Sequence, residues 1–320
     1  MLFEKKIVDM VLGQLLVRQD NPYGLFYFGP EHFPGLQTRD FSFPSHKGHE
    51  LKGCFYFYDN PIPGKLVVFD HGMGNGHRAY MREIETLCRA GFLVYSYDHT
   101  GCMASGGEHI GGFAQSLADL DDCIRTLKRH ASLQDRSICV VGHSWGGFST
   151  MNIGALHPEI THIVSMSGFV SVERIVKQSL GILNACTPAI LAAEQRENPR
   201  YARFNALESL EHTRAKVLLI YSGDDRTVLK KAHYDPLYEK FRDSDRVKFL
   251  LLQDKNHNPT FENESVKYKN EFFARYQKAL KKGALATAEA RADFMGSFDW
   301  WFMTNQDMTV WSAVFAHLNS

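Results

Sequence analysis

Ser144 has the sequence context expected of a catalytic nucleophile. It lies in the pentapeptide GHSWG, with Gly142 two residues before it and Gly146 two residues after it. An apolar run, residues 138–141, leads into this pentapeptide, and a helical pattern follows it. A side chain at either glycine would collide with the neighbouring turn of so sharp a reversal. The pattern therefore predicts a nucleophile elbow, a strand-to-helix turn that leaves the serine hydroxyl exposed.

A serine hydroxyl becomes a good nucleophile only when a base takes its proton, and a candidate base and acid follow later strand-like runs. The run KVLLIYSG ends in Asp224 and Asp225, and the run VKFLLLQ is followed by a loop that contains His257. His257 directly follows the last predicted strand, so we expect it to be the base. Paired aspartates after a strand also cap turns, and the residues alone leave both Asp224 and Asp225 open as the acid.

The segments that carry these residues alternate between strands and helices. Residues 41–58 predict two antiparallel strands, and amphipathic stretches such as 80–89 and 113–130 separate the later apolar runs. Those runs are residues 66–69, 92–97, 138–141, 162–166, 217–221 and 247–252. The alternation predicts one α/β domain with a mainly parallel, eight-stranded sheet covered by helices on both faces.

The chain order Ser, Asp, His on this pattern resembles that of the α/β-hydrolase superfamily, over about residues 41–280. The resemblance implies that the acid follows the seventh strand and that the histidine follows the eighth. In this family an apolar residue commonly stands three positions after the acid, and aligning Val228 with that position selects Asp225. The glycine that leads the family's pattern is displaced here to Gly223, so Asp224 remains the alternative.

Acyl transfer also needs two backbone N–H groups aimed at the developing oxyanion. The segment KLVVFDHGMG resembles the family's strand and His-Gly-x loop, which implies that Met73 and Trp145 donate these N–H groups, with the Trp145 ring walling the pocket. We expect His71 to brace the loop. The segment YDHTGCM departs from the family's small-residue turn, so Asp98 is expected only to support its loop, and Cys102 is not expected to be a nucleophile.

Three segments lie outside the regular alternation. Residues 169–215 are longer than one crossover needs and contain two short helical patterns, so we expect a helical lid inserted between strands, with Leu183 facing the active-site entrance. Residues 1–37 predict an N-terminal helix and an aromatic loop. Residues 284–320 carry large aromatic side chains on a helical pattern, and we expect this extension to pack onto the domain.

The composition restricts the class of partner. The 36 basic residues balance the 36 acidic ones and no dense run of like charge occurs, which favours a small-molecule acyl substrate and not nucleic acid. The six cysteines lack Cys-x-x-Cys spacing, which favours reduced thiols and a cytoplasmic location. The pairs His71 and His77, and His157 and His162, lack ligand spacing, so we expect no metal and no cofactor. We also expect no segment of membrane-span length and no stable membrane insertion, and the oligomeric state stays open.

The candidate residues together describe acyl transfer through a covalent acyl-enzyme, with water as the expected acceptor. The resemblance is to the lidded esterase, monoglyceride-lipase and serine-aminopeptidase branch of the superfamily, and it implies a serine hydrolase. Our prediction is a carboxylesterase that acts on small or medium, largely uncharged acyl esters. Peptidase, amidase and thioesterase activities use the same residues and remain alternatives, as do an acyltransferase and a non-catalytic binding protein of this fold.

Overall fold

A computed structural model of the protein shows one eight-stranded sheet, and it describes residues 2–74 and 76–320. The strands are β1 (Gln37–Pro44), β2 (Glu50–Phe57), β3 (Lys65–Asp70), β4 (Val94–Tyr97), β5 (Ser137–His143), β6 (Ile160–Met166), β7 (Lys216–Ser222) and β8 (Val247–Leu252). Their order across the sheet is β1-β2-β4-β3-β5-β6-β7-β8. The first two strands form the predicted antiparallel hairpin at one edge.

All strand pairs from β4 to β8 are parallel, whereas β2 pairs antiparallel with β4. Parallel strands are normally covered on both faces, which explains the continuous apolar run of β3. Leu66 and Val68 pack into one core, and Val67 and Phe69 pack into the core on the opposite face. The predicted fold class, an α/β fold with a mainly parallel eight-stranded sheet, is confirmed.

Helices pack on both faces of this sheet. They are α1 (Leu2–Leu15), α2 (Met81–Arg89), α3 (Gln115–Arg129), α4 (Trp145–Ile153), α5 (Val172–Leu180), α6 (Thr187–Glu197), α7 (Ala206–His212), α8 (Lys230–Phe241), α9 (Asn263–Lys281), α10 (Ala288–Gly296), α11 (Trp300–Met303) and α12 (Met308–Leu318). On one face lie α3 and α4, through side chains such as Leu117 and Phe148. On the other lie α2 and α12, through Ile84 and Trp311.

The parallel strands bring the candidate residues to one edge of the sheet. Met73 follows β3, Ser144 follows β5, Asp225 follows β7 and His257 follows β8. These strands run in the same direction and β5, β6, β7 and β8 are successive neighbours. The loops after their carboxyl ends therefore meet, which is where α/β sheets bind ligands.

Three helices, α5, α6 and α7, occupy the segment that the sequence predicts as a lid. Within it, residues 172–197 contain an 18-residue stretch with a mean hydropathy of 1.3, which is long and apolar enough for one membrane-spanning helix. The expectation that no segment has such length is therefore wrong. In the structure this segment is interrupted: Gly181 has a φ of 53° and begins a 3-10 turn between α5 and α6. Ile175 and Ile190 are buried in the protein core.

The two terminal segments pack against each other and against the domain. The ring of Phe26 lies 5.4 Å from that of Trp300, and the ring of Phe28 lies 4.5 Å from that of Trp301. Trp311 of α12 is fully buried beneath the sheet. These contacts agree with the expectation that the aromatic extension packs onto the domain.

Candidate active site

Ser144 lies at the sharp turn between β5 and α4. Its φ of 56° is unusual for a residue with a side chain, and its N–H donates to the carbonyl oxygen of Met166 at 2.8 Å. A Cβ at Gly142 would overlap the carbonyl of Gly146, and a Cβ at Gly146 would overlap the carbonyl of Asp70. Only glycine fits at these two positions, so the local sequence itself enforces the elbow.

His257 and Asp225 complete a continuous chain of hydrogen bonds to Ser144. Nε2 of His257 lies 2.9 Å from Oγ of Ser144, and Nδ1 of His257 lies 2.7 Å from Oδ2 of Asp225. Asp225 is 3 % exposed, and its Oδ1 accepts from the N–H groups of Thr227 and Val228 at 2.8 and 3.0 Å. The carboxylate is thus held on one side by the backbone and presents its other oxygen to the imidazole.

Asp224 lies apart from this chain. Its Oδ1 accepts from the hydroxyl of Ser222 and from the N–H of Asn256, so it ties the loop after β7 to the loop after β8. Partial burial acts to raise its pKa, but these hydrogen bonds outweigh burial and lower the pKa. The structure therefore brings Asp225 to the imidazole and gives Asp224 the turn-capping contacts that the sequence left as its alternative role.

The loop after β3 brings a second N–H group beside the elbow. Across residues 2–74 and 76–320, neither the N–H of Met73 nor that of Trp145 donates to a protein acceptor. Both groups are therefore available to an oxyanion. His71 braces the loop as expected, because its Nδ1–H donates to the carbonyl oxygen of Gly72 and its Nε2 accepts from the N–H of His99.

A buried charged cluster supports this loop from below. The His99 imidazole lies 3.1 Å from the carboxylate of Asp70 and 3.2 Å from that of Asp119, and all three side chains are inaccessible to solvent. Burial opposes the imidazolium form, but the two carboxylates outweigh it and raise the pKa of His99 to about 9. Because Asp70 ends β3, this cluster fixes the start of the loop that carries Met73.

His143 connects the elbow to the loop of His257. Its Nδ1 accepts from the hydroxyl of Tyr80 at 2.9 Å, and its Nε2–H donates to the backbone carbonyl of His257 at 2.7 Å. Burial, reinforced by the neighbouring His257, holds the pKa of His143 well below its usual range. A neutral imidazole with its proton on Nε2 satisfies both hydrogen bonds.

Ser144 and His257 open into a cleft of about 420 Å³. Sequence reasoning missed several residues that line it, among them Tyr80, Arg226 and Lys269. Arg226 directly follows Asp225, which is a signal that could have marked it. Nothing in the sequence separates Tyr80 from the other tyrosines or Lys269 from the other lysines of α9.

Two expected features of the cleft differ in the structure. The Trp145 ring does not wall the cleft, because it is fully buried and donates its Nε1–H to the carbonyl oxygen of Phe113. Leu183 packs against the protein core and does not line the cleft. The segment predicted as a lid instead meets the loop of the acid through Gln178, which bonds to Thr227 and Leu229.

Asp98 has the loop-supporting contacts that the sequence suggests. Its carboxylate accepts from the N–H and Nδ1–H of His77 at 2.8 and 2.7 Å, and from the N–H of Ala104 at 3.3 Å. Cys102 is fully buried. No cluster of three or more potential metal ligands occurs in the described part of the chain.

The comparisons with known proteins concern the family and the fold. Residues 61–241, more than half of the chain, match the Hydrolase_4 family, described as serine aminopeptidase, S33. The monoglyceride lipase homolog of Monkeypox virus is 27% identical over 130 residues, 40% of this chain and 46% of that protein. The monoacylglycerol lipase of Mycolicibacterium smegmatis is 31% identical over 108 residues, 33% of this chain and 38% of that protein.

Among solved structures, the esterase Pf2001 of Pyrococcus furiosus aligns with a TM-score of 0.60 at 20% identity, covering 83% of this chain and 98% of that one. The chain therefore has the fold of the α/β-hydrolase superfamily. Within that superfamily it belongs to the serine aminopeptidase (S33) family. It spans less than half the length of the curated lipases that it matches.

Proposed function

We propose that this protein is a carboxylic ester hydrolase that works through a covalent acyl-enzyme. The observation that carries the proposal is the unbroken chain from Asp225 through His257 to the hydroxyl of Ser144, with distances of 2.7 and 2.9 Å. Such a chain aligns nucleophile, base and orienting acid before any substrate arrives.

The proposed reaction follows from the positions of the protons. Oγ of Ser144 attacks the ester carbonyl while Nε2 of His257 takes the hydroxyl proton. The imidazolium that forms is stabilised by Asp225, which accepts the Nδ1–H. The same proton then passes to the departing alcohol, and His257 next takes a proton from water as the water attacks the acyl-enzyme.

The oxyanion of each tetrahedral intermediate would lie between the free N–H groups of Met73 and Trp145. Each such donor is worth a few kcal/mol in the transition state. The Met73 loop is held by His71 and by the charged cluster around His99, so its N–H group does not depend on substrate to be positioned. This rigidity is what electrostatic stabilisation of a transition state requires.

An ester is the substrate class best supported by the relatives. The similar proteins include two whose names specify monoacylglycerol or monoglyceride lipase and one described as an esterase. The family description, serine aminopeptidase, supports amide hydrolysis as a second candidate. Anilide substrates distinguish an amidase from an ester hydrolase, because an amidase turns over p-nitroanilides as well as p-nitrophenyl esters.

Steady-state kinetics on p-nitrophenyl acetate and butyrate, the matching thioesters and aminoacyl p-nitroanilides test the proposal. We expect the esters to have the highest kcat/KM and Ser144→Ala to remove nearly all turnover. Ser132→Ala, at an exposed serine, is the matched control and should keep wild-type turnover. Ester turnover that survives in Ser144→Ala would exclude this mechanism, and a higher kcat/KM for the anilides would favour the amidase.

A further inference from the structure

A second cavity adjoins the catalytic cleft on the side of α2 and α9. We call it the aromatic chamber; it has a volume of about 110 Å³. Its apolar walls include Phe26, Phe28, Met81, Phe272, Trp300 and Met303. Phe28, Met81, Phe272 and Met303 are buried, so these walls belong to the protein interior.

The chamber and the cleft share part of their walls. Tyr80, His143, Asn258, Lys269 and Phe273 line both spaces. His143 directly precedes Ser144, and Asn258 directly follows His257. The chamber therefore lies next to the reacting centre, on the other side of these five residues.

Most of the chamber is built from parts of this chain that the family match does not cover. The match spans residues 61–241, whereas the loop with Phe26 and Phe28, helix α9 and helix α11 lie outside it. The packing of Phe26 on Trp300 closes one side. The chamber is thus built largely from α9, the loop before it and the two terminal segments.

Glu83 is a buried acid in this otherwise apolar space. Its side chain is 5 % exposed and lines the chamber, and its carboxylate accepts a hydrogen bond from its own backbone N–H. Glu85, on the same helix and similarly buried, accepts hydrogen bonds from the side chains of Tyr58 and Arg89 at Oε1. Burial raises the pKa of Glu83 to about 7. The one hydrogen bond from its own N–H leaves the Glu83 carboxyl with acceptor capacity for a ligand.

Lys269 offers the complementary group. Its Nζ donates to Oδ1 of Asn258 at 2.7 Å and lies 4.5 Å from the centre of the Phe261 ring. An ammonium has three N–H donors, so this single hydrogen bond leaves donors for a ligand. Burial lowers the pKa of Lys269 to about 8, which Glu83 partly offsets. An acceptor and a donor thus line the same small apolar space.

We infer that the aromatic chamber binds a short aliphatic chain that ends in a hydroxyl, as one part of the ester substrate. This inference rests on the proposed function. A hydroxyl can donate to Glu83 and accept from Lys269 at once, whereas a methyl end can make neither hydrogen bond. The chain belongs to either the acyl group or the alcohol of the ester, since both extend from the carbon that Ser144 attacks.

The volume sets the length of that chain. An engineered apolar cavity of about 150 Å³ in another protein holds benzene, a ring of six carbons. The aromatic chamber, at about 110 Å³, is somewhat smaller. We therefore expect the optimal aliphatic chain to have four to six carbons. A chain of twelve carbons does not fit the chamber, so such an ester should bind poorly unless its chain lies elsewhere.

A panel of esters shows whether this aliphatic chain belongs to the acyl group or to the alcohol of the ester. The acyl arm compares p-nitrophenyl esters of acetate, hexanoate, 6-hydroxyhexanoate and dodecanoate. The alcohol arm compares hexyl acetate with 6-hydroxyhexyl acetate, and the release of acetic acid measures their hydrolysis. In one of the two arms the hydroxylated compound should exceed its methyl-ended partner about tenfold in kcat/KM, which is the factor that one hydrogen bond to a charged group gives.

Two substitutions at Glu83 and one at Glu85 test the assignment to the chamber. Glu83→Leu should abolish the hydroxyl preference, and Glu83→Gln, which keeps an acceptor without the charge, should reduce it. Glu85→Gln is the matched control and should keep the full preference, because Glu85 does not line the chamber. Equal loss of preference in the Glu83→Gln and Glu85→Gln proteins would overturn the inference.

A binding measurement separates this inference from the proposed function. Hexane-1,6-diol should bind to the Ser144→Ala protein, observed by ligand-detected NMR, and should not bind when Glu83→Leu is added. No binding and no hydroxyl preference, together with Ser144-dependent ester turnover, would refute the chamber alone. Binding of the diol by a protein without Ser144-dependent ester turnover would retain the chamber as a binding site and refute the proposed reaction.

Discussion

The two neighbouring aspartates after β7 give the sharpest test of the catalytic assignment. In Asp225→Asn, the side-chain oxygen can keep the two N–H groups of Thr227 and Val228 that Asp225 binds now. The amide nitrogen then takes the place of Oδ2 and donates toward Nδ1 of His257. That imidazole is forced to carry its proton on Nε2, where it can no longer accept the proton of Ser144.

The size of the effect follows from this loss of the correct tautomer. In serine hydrolases with intact geometry it lowers kcat by about 10⁴, which corresponds to about 5 kcal/mol of transition-state stabilisation. Asp224→Asn leaves the contacts of His257 untouched and keeps an oxygen for Ser222 or Asn256. We expect it to change kcat by less than about tenfold, or about 1.4 kcal/mol.

The assay is kcat/KM for p-nitrophenyl acetate at neutral pH, with circular dichroism and thermal unfolding to show that both variants fold. The reverse ranking would place the catalytic acid at Asp224. Two variants with near-wild-type turnover would mean that another group orients His257 and would refute the argument from geometry.

Three further predictions concern the supporting structure. The pKa of His99 is raised to about 9 from 6.5, so its charge stabilises the fold fully below pH 6.5 and less as the pH rises through 9. We therefore expect the free energy of unfolding to fall by about 3 kcal/mol over this range. Denaturant titrations of the His99→Asn protein should lack that fall. Tyr80→Phe removes the donor to Nδ1 of His143 and should lower kcat up to about tenfold with little change in KM. Tyr58→Phe is the control and should not lower kcat. Equal kcat in the two variants would contradict a role of Tyr80 in positioning His143. Trp311→Ala should cost about 3–5 kcal/mol in chemical denaturation, and a loss below 1 kcal/mol would show that α12 is not a structural support.

The sequence predicts most of the sheet because its signals are local. Each core strand is an apolar run bounded by turns, and the glycines around Ser144 enforce the elbow through contacts within a few residues and one neighbouring strand. His257 could be selected because it directly follows the last strand. The choice between Asp224 and Asp225 rested on family spacing, and the observed contacts of the two carboxylates agree with that choice.

Features made by distant segments were not predicted. Glu83 lies in an amphipathic helix that the sequence identifies correctly, but its burial depends on the terminal segments that close the aromatic chamber. The link from Tyr80 through His143 to His257 joins three segments that no periodicity connects. Leu183 was expected at the active-site entrance because its segment is unusually apolar, yet hydrophobicity alone does not distinguish a side chain that faces a cleft from one that faces the core.

The central claim is that Ser144 is the residue that becomes acylated. The most direct measurement is mass spectrometry of the protein after reaction with a fluorophosphonate, with the adduct mapped by proteolysis. The account predicts one adduct per chain, on the peptide that contains Ser144, and its loss in Ser144→Ala and in His257→Ala. An adduct on another serine, or labelling that persists in Ser144→Ala, would contradict it.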